Sequence, residues 1–452
     1  MLFFCVLSCV SRAQSIMKKL LALTLILTLH AVAETPAQFT LAGDWQVRVV
    51  ISEPRASEAT LDIAPPQMAA VMAEKFAQLP IYNPNGGGWN NGARLAGLLA
   101  QNTTTPFLLD AESLVLRAGA EESAEVLRRG TDYEVESAWG TFGRLAAGRI
   151  AENTPVFASY RYTPLRLDGV VLGADGRITL RAGEPRSAAP LPVAIQPGER
   201  LLGNIWLPGR VAKLSADHLF PILETACPEP AKISPAPAEK SLPKTLAKLR
   251  AGAPVRILAW GDSVTECGYL PKPDEWQEQF VARLRTRFPT AQIELVTVGW
   301  GGQNTQSFLS QPPGSPHNFK EKVLDAKPDL VISEFVNDAN LNPAQVEERY
   351  ARILADFTAI GAEWAILTPH YVRPDWMGLP REREVDDDPR PYVAGLRAFA
   401  AAHPVALADA ARRYGRLWRQ GLPHSTLMVN SINHPDARGM KIFADALMEL
   451  FP

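Results

Sequence analysis

The chain has 452 residues, of which 46% are hydrophobic and 21% charged. This composition excludes an intrinsically disordered protein, and the length favours two domains or more. The formal net charge is −2 and no long lysine- or arginine-rich run occurs, so the chain lacks the basic field that binds phosphate backbones and nucleic acid is not expected as a partner.

The segment MKKLLALTLILTLHAVAE, which begins at Met17, has the pattern of a secretory signal peptide. Two lysines precede an apolar run, and the small residues Ala-Val-Ala follow it, as at a cleavage site. The apolar run is short for a bilayer span, so a stable membrane anchor is not expected. We therefore expect residues 1–33 to be an upstream extension and a signal peptide, and the mature protein to be exported, either periplasmic or extracellular.

Export would leave two cysteines, Cys227 and Cys267, in an oxidising compartment. One disulfide between them would bridge the predicted linker, but two isolated cysteines are more often two free thiols. The sequence alone does not decide whether they pair.

Residues 34–226 are predicted to form a β-rich accessory domain. Short runs of alternating polar and apolar residues, such as DWQVRVVI at 44–51, are separated by glycine, asparagine, aspartate and proline, which is the pattern of strands joined by turns. Residues 66–77 are the exception, since they could form a helix with the proline in its first turn. The segment NPNGGGWNNG at 83–92 is expected to be a flexible or ligand-contacting loop.

A linker rich in proline, alanine and lysine is predicted at 227–249. Residues 250–452 then alternate between buried strands, such as VRILAWGDS, and amphipathic helices, such as EWQEQFVARLRTRF. This alternation predicts an α/β domain with a three-layer, doubly wound parallel sheet. Functional side chains in such sheets gather at the carboxyl ends of the strands.

Polar residues follow three of the predicted strands and also precede the last helix. The three strand ends carry Gly-Asp-Ser at 261–263, a glycine-rich turn at 299–302 and Asn-Asp at 337–338, and the last loop carries Asn-His-Pro at 433–435. Together these segments offer a hydroxyl, glycine amides, a carboxamide and an imidazole. These are the groups needed for nucleophilic attack on an acyl carbon.

The four blocks, in this order, resemble those of the SGNH hydrolases, also called the GDSL esterase and lipase superfamily, over about residues 250–452. The resemblance implies a flavodoxin-like SGNH fold with Ser263 as nucleophile and His434 as its general base. It also implies an oxyanion hole made by the backbone N–H groups of Ser263 and Gly302 and by the side-chain amide of Asn337.

The blocks depart from the family pattern at three positions. Thr297 stands where an asparagine is common, and Phe335 replaces the glycine of the third block. Ser431 replaces the aspartate of the usual D-x-x-H, and that aspartate normally fixes the tautomer of the histidine and stabilises its positive charge.

Three explanations for the missing aspartate remain open at this point. The enzyme could use a Ser–His dyad oriented by Asn430, by Ser431 or by a backbone carbonyl. An aspartate could come from elsewhere in the chain, with Asp409 as the candidate. Alternatively, the enzyme could simply be weakened.

Several further residues near the predicted strand ends are candidates for contact with substrate, namely Asp262, Trp300 and His370. Trp260 and Trp376 are two more tryptophans near the predicted site, although any of these aromatic rings could equally belong to the core. No grouping of histidine, cysteine and carboxylates has metal-ligand spacing, so no metal or other cofactor is expected.

The sequence therefore predicts an exported serine esterase that acts on a small-molecule or polysaccharide ester, in particular on O-acetyl groups of carbohydrate. The first alternative is a lipase, a lysophospholipase or another short-chain acyl esterase. An alternative of a different class is a non-catalytic carbohydrate-binding protein built on a decayed hydrolase fold. The oligomeric state is not predicted.

Overall fold

The computed structural model describes residues 36–53, 55–228 and 235–452. The predicted upstream extension and signal peptide lie outside these residues. Within them, no helix is both long enough and apolar enough to cross a membrane.

The first part of the chain is rich in β-strands. Its strands are β1 (Gln38–Gly43), β2 (Gln46–Ile51), β3 (Ser57–Asp62), β4 (Ala69–Phe76), β5 (Ala93–Arg94), β6 (Leu109–Arg117), β7 (Tyr133–Glu136), β8 (Thr141–Arg144), β9 (Val156–Tyr162), β10 (Arg166–Leu172), β11 (Ile178–Arg181), β12 (Arg200–Leu207) and β13 (Leu219–Pro221). They form four antiparallel sheets in the orders β1-β2-β3, β4-β9-β6, β5-β8-β7 and β11-β10-β12-β13. We call this part the β-rich domain.

The helix expected at 66–77 is wrong, because β4 occupies most of this segment and pairs with β9. The pairing register shifts between Val71 and Glu74, and Ala73 in between has a left-handed φ of 51°. Such a bulge adds a residue to one strand and breaks the alternation of inward and outward side chains. The sequence of β4 therefore lacks the regular alternation of polar and apolar residues that predicts a strand.

The second part of the chain alternates between strands and helices. Its strands are β14 (Pro254–Gly261), β15 (Gln292–Gly299), β16 (Leu330–Glu334), β17 (Glu363–Leu367) and β18 (Ala406–Ala408). Its α-helices are α1 (Pro237–Ser241), α2 (Pro243–Ala251), α3 (Ser263–Glu266), α4 (Trp276–Arg287), α5 (Thr305–Leu309), α6 (Pro343–Ile360), α7 (Pro391–Ala402), α8 (Ala410–Gly415) and α9 (Ala437–Met448). We call this part the α/β domain.

The five strands of the α/β domain form one parallel sheet in the order β15-β14-β16-β17-β18. Helix α4 packs against α9, and α6 packs against α7. Strands β14, β15 and β16 end side by side, since Gly261 pairs with both Gly299 and Glu334. The three predicted strand-end blocks are therefore neighbours in space.

The predicted linker at 227–249 differs from the structure in its second half. Helices α1 and α2 begin at Pro237 and Pro243, and a proline in the first turn of a helix costs no backbone hydrogen bond. Leu242, Leu246 and Leu249 are buried in the core of the α/β domain. These helices are therefore part of that domain.

The two domains contact each other at several places. Trp418 of the α/β domain packs into the core of the β-rich domain, and Asn204 donates its side-chain N–H to the carbonyl of Gly421 at 2.7 Å. Both Cys227 and Cys267 are free thiols, so these two cysteines form no disulfide with each other.

Candidate active site

Ser263 lies at the first position of α3, immediately after β14. The preceding residue, Asp262, accepts a hydrogen bond from the backbone N–H of Val264 at 3.1 Å and so caps this short helix. The turn is tight, because a Cβ atom at Gly261 would lie 2.1 Å from the hydroxyl of Thr265. The glycine thus permits the sharp change from strand to helix that places Ser263 at the sheet edge.

His434 faces Ser263, with its Nε2 atom 3.0 Å from the serine Oγ. Its loop is organised by the side-chain oxygen of Asn430, which accepts hydrogen bonds from the backbone N–H groups of Ile432, Asn433 and His434. The ring of Tyr269 stacks on the imidazole, with the centroids 4.5 Å apart and the planes 4° from parallel. The imidazole is therefore held on its loop and on one ring face.

The second imidazole nitrogen contacts a residue of the β-rich domain. His434 Nδ1 lies 2.7 Å from Oε1 of Gln101. An amide oxygen can only accept a hydrogen bond, so in this arrangement Nδ1 carries the proton and Nε2 is free to accept the proton of Ser263. Sequence reasoning missed Gln101, which lies 333 residues before His434 in a polar loop without a recognisable motif.

Burial lowers the pKa of His434 to about 4. The imidazole is therefore neutral at physiological pH, which is the protonation state that a general base requires.

The residues that were expected to orient the imidazole have other roles. Asn430 holds the backbone of the loop rather than the ring. Ser431 has a left-handed φ of 56°, and its hydroxyl lies 2.5 Å from that of Thr105 in the β-rich domain. Asp409 pairs with Arg397 and caps α8, so the expectation that it supplies the missing carboxylate is wrong.

Asn337 and Gly302 line the same cleft as Ser263. The backbone N–H and the side-chain amide of Asn337 both donate to Oδ2 of Asp262 at 3.0 Å. Gly302 has a φ of 72°, which a residue with a side chain adopts only with strain. Phe335, at the glycine position of the family pattern, has an extended φ of −139° and therefore needs no glycine.

Asp262 is fully buried and does not line the cleft, so the expectation that it contacts substrate is wrong. A second carboxyl group, that of Glu334, is also fully buried at the neighbouring strand end. Burial is the main cause that raises the pKa of both groups, and the charge of Asp262 raises that of Glu334 further.

The other two proposed contact residues also lie outside the cleft. Trp300 is half-buried and stacks on His317 at 4.2 Å. His370 is fully buried and packs against Tyr414 and Phe443. Neither side chain is therefore placed to contact substrate.

The two remaining tryptophans that the sequence singled out have different positions. Trp260 is buried in the core between Phe308, Phe319 and Phe335. Trp376, by contrast, is 49% exposed and lines the cleft.

The cleft has a volume of about 550 Å³ and lies between the two domains. The β-rich domain contributes Trp89, Gln101, Asn102 and Thr103, and the α/β domain contributes Ser263, Glu266, Gly268, Tyr269, Gly301, Gly302, Asn337, Trp376, Asn430, Ile432, Asn433 and His434. Trp89 comes from the glycine-rich loop at 83–92 and packs against Trp376 at 5.6 Å. In the part of the chain that the structure describes, no group of three or more histidine, cysteine and carboxylate residues could hold a metal ion.

Comparison with known proteins gives one family match and several similar solved structures. Residues 259–442 match the GDSL-like lipase/acylhydrolase family. A variant of an acetyl xylan esterase from Geobacillus stearothermophilus is 18% identical, with 43% of this chain and 94% of that chain covered and a TM-score of 0.35. A two-domain esterase active on acetylated mannans, crystallised with mannopentaose, is 17% identical, with 50% of this chain and 54% of that chain covered and a TM-score of 0.37. No curated protein matches the sequence.

The family match covers the three strand-end blocks and the loop that carries His434. It therefore confirms the resemblance that these blocks suggested. Residues 259–442 form a domain of the GDSL-like lipase/acylhydrolase family, and the protein is a hydrolase of ester bonds.

Proposed function

We propose that the protein is an exported serine esterase that removes O-acetyl groups from carbohydrate. The observation that carries the catalytic part of this proposal is the line of contacts from Ser263 Oγ through His434 to Gln101, at 3.0 Å and 2.7 Å. A neutral imidazole that is oriented in this way can activate a serine hydroxyl towards an ester carbonyl.

In the proposed first half-reaction, Ser263 Oγ attacks the acyl carbon while its proton moves to Nε2 of His434. The carbonyl oxygen becomes negatively charged and accepts hydrogen bonds from the backbone of Ser263 and Gly302 and from the Asn337 amide. The tetrahedral intermediate then collapses, and the leaving alcohol oxygen takes the proton from His434. An acyl-enzyme remains on Ser263.

In the second half-reaction, water attacks the acyl-enzyme and gives a proton to His434. The new tetrahedral intermediate releases the carboxylic acid, and the proton returns to Ser263 Oγ. The negative charge on the acyl oxygen lies close to the imidazolium in both steps and stabilises it, which compensates in part for the absence of an aspartate.

The walls of the cleft support carbohydrate as the substrate class. The half-buried Trp89 and the exposed Trp376 form an aromatic surface beside Ser263, and aromatic faces pack well against the apolar faces of sugar rings. The other walls are polar, and no amphipathic helix of the kind that binds a lipid surface is recognised in the sequence. Esters of other short acyl groups are the alternative, since the cleft is open and its lining does not select one acid.

The competing function is carbohydrate binding without catalysis, because the family aspartate is missing at Ser431. The hydrogen bond between Ser263 and His434 favours catalysis, since a protein that only binds sugar has no need for it. Export rests on the signal-peptide pattern in the sequence.

The proposal is tested by measuring acetate release from acetylated xylan and from p-nitrophenyl acetate. We expect the mature protein to release acetate and Ser263→Ala to lose the activity by at least about 10³-fold, as for removal of a serine nucleophile. If the mature protein is inactive on short- and long-chain acyl esters yet binds the polysaccharide, the function is carbohydrate binding.

A further inference from the structure

We propose that Gln101 of the β-rich domain takes the place of the missing aspartate, so that the site is complete only when both domains are docked. In this role Gln101 is a positioning residue that acts through His434. The inference rests on the proposed function, but its test includes a measurement that does not need catalysis.

The geometry around the imidazole selects one tautomer. The amide oxygen of Gln101, at 2.7 Å from Nδ1, accepts the Nδ1 proton. Nε2 then has a lone pair directed at the Ser263 hydroxyl at 3.0 Å. This is the tautomer that an aspartate enforces in a complete triad, although a neutral amide supplies no negative charge.

The loop that carries Gln101 is fixed to the loop that carries His434. The backbone N–H of Gln101 donates to the carbonyl of Val429 at 2.8 Å. The hydroxyl of Thr103 donates to the carbonyl of Asn430 at 2.5 Å. With the contact between Thr105 and Ser431, three successive points join the two loops, so the position of the amide follows the docking of the domains.

This arrangement also accounts for Ser431. Thr105 donates its hydroxyl hydrogen to the carbonyl of Ser187, so the Ser431 hydroxyl is the donor in the 2.5 Å contact with Thr105, a role that an aspartate could not fill. The position serves the interface, and Gln101 reaches the imidazole instead.

The other titratable groups around His434 do not compete for Nδ1. Tyr269 stacks on the ring face of the imidazole. Glu266 lines the cleft, and one of its carboxylate oxygens accepts a hydrogen bond from the backbone N–H of Gly301 at 2.7 Å. Asp436 accepts from Arg438 at 2.8 Å. His370 lies buried in the core, and its burial lowers its pKa well below the usual value.

The decisive variant is Gln101→Glu, which keeps the length of the side chain and adds a negative charge at Nδ1. A carboxylate in contact with the imidazole favours the imidazolium, so the pKa of His434 rises by about 1–3 units. We expect the acid limb of the kcat/KM profile to move to higher pH by this amount, and kcat at pH 8 to rise by about tenfold.

The complementary variant is Gln101→Met, which keeps the shape of the side chain and removes the acceptor. We expect kcat to fall by about 10²-fold with little change in KM, because the imidazole is no longer held in one tautomer. Gln101 is exposed, and we expect both variants to keep the Tm of the parent protein.

A matched control is Glu224→Gln, which removes an ion pair with Arg416 outside the cleft. The backbone N–H groups of Leu223 and Glu224 still donate to the carbonyl of Arg419 in this variant, so the domains stay docked and His434 is not touched. The acid limb should stay where it is in the parent.

The pKa of His434 is also measured directly by NMR titration of its imidazole in Ser263→Ala, with and without Gln101→Glu. A rise in pKa supports the role of Gln101 even if no ester is hydrolysed. An unchanged titration together with unchanged kcat in Gln101→Met would overturn the inference while leaving Ser263 and the proposed function intact.

Discussion

At the scale of single residues, Asn337 illustrates how the site is prepared. Its amide nitrogen carries two hydrogens, and Asp262 accepts one of them at 3.0 Å. In the proposed mechanism the other hydrogen points to the acyl oxygen, and Asp262 fixes the direction of the donor. Such preorganised donors cost no reorganisation during the reaction.

We therefore predict that Asn337→Ala lowers kcat by about 10²–10³-fold and changes KM little. The measurement is steady-state hydrolysis of p-nitrophenyl acetate. Asn342→Ala makes the same chemical change at the cap of α6, outside the cleft, and should lose about 1 kcal/mol of stability but no activity. A large rise in KM at unchanged kcat would show that Asn337 binds the substrate rather than the transition state.

The sequence predicted some residues of the site and missed others. Ser263, Gly302, Asn337 and His434 stand in recognisable blocks, and the fold brings them to one cleft. Gln101 could not be found in this way, because its loop has no motif and its contact with His434 depends on the docking of two domains. Trp300 and His370 were expected to contact substrate but lie outside the cleft, because a position near a strand end does not tell which way a side chain points.

At the scale of elements, the parallel sheet was predictable, since long alternating strands and helices have few competing structures. Two errors arose where local patterns were ambiguous. The bulge in β4 breaks the strand alternation, and the prolines that start α1 and α2 resemble the composition of a linker. Proline occurs both in linkers and in the first turn of helices, and only the burial of the leucines that follow distinguishes the two cases.

The end of β16 carries the least expected feature of the sheet. Glu334 is fully buried, and neither of its carboxyl oxygens has a hydrogen-bond partner among the described residues. Burial raises its pKa well above the usual value, so the fold favours the protonated form of this carboxyl group. Its contribution to stability is then present below the pKa of the unfolded chain and is lost as the pH rises through the range between the two pKa values.

We predict that Glu334→Gln gains stability relative to the parent protein as the pH rises from 4 to 8. Each unit of pKa difference corresponds to about 1.4 kcal/mol, and urea unfolding at several pH values measures it. Glu334→Leu, which also removes the ionisable group, should show the same pH dependence. A stability difference that does not vary with pH would mean that Glu334 ionises normally in the fold.

At the scale of the whole molecule, the cleft is formed by both domains, and the aromatic surface of Trp89 and Trp376 extends from one to the other. The β-rich domain is thus part of the proposed substrate site rather than a separate module. This gives a role to Trp89, which the glycine-rich loop places in the wall of the cleft.

We expect Trp376→Ala to lower the ratio of kcat/KM for acetylated xylan to that for p-nitrophenyl acetate by about tenfold, on the order of 1.4 kcal/mol of lost sugar contact. Phe107→Ala removes an exposed aromatic ring that lies on the β-rich domain outside the cleft and should leave the ratio unchanged. Equal losses on both substrates would argue that Trp376 supports the structure and does not bind sugar.

The proposed mechanism depends above all on Ser263 as the nucleophile. The most direct measurement is the reaction of the mature protein with a sulfonyl fluoride, followed by mass spectrometry of its peptides. We expect one adduct per chain, located on Ser263, with activity lost in proportion to labelling and with labelling abolished in His434→Ala. An active protein that remains unlabelled at Ser263, or that is inactivated by an adduct on another residue, would contradict it.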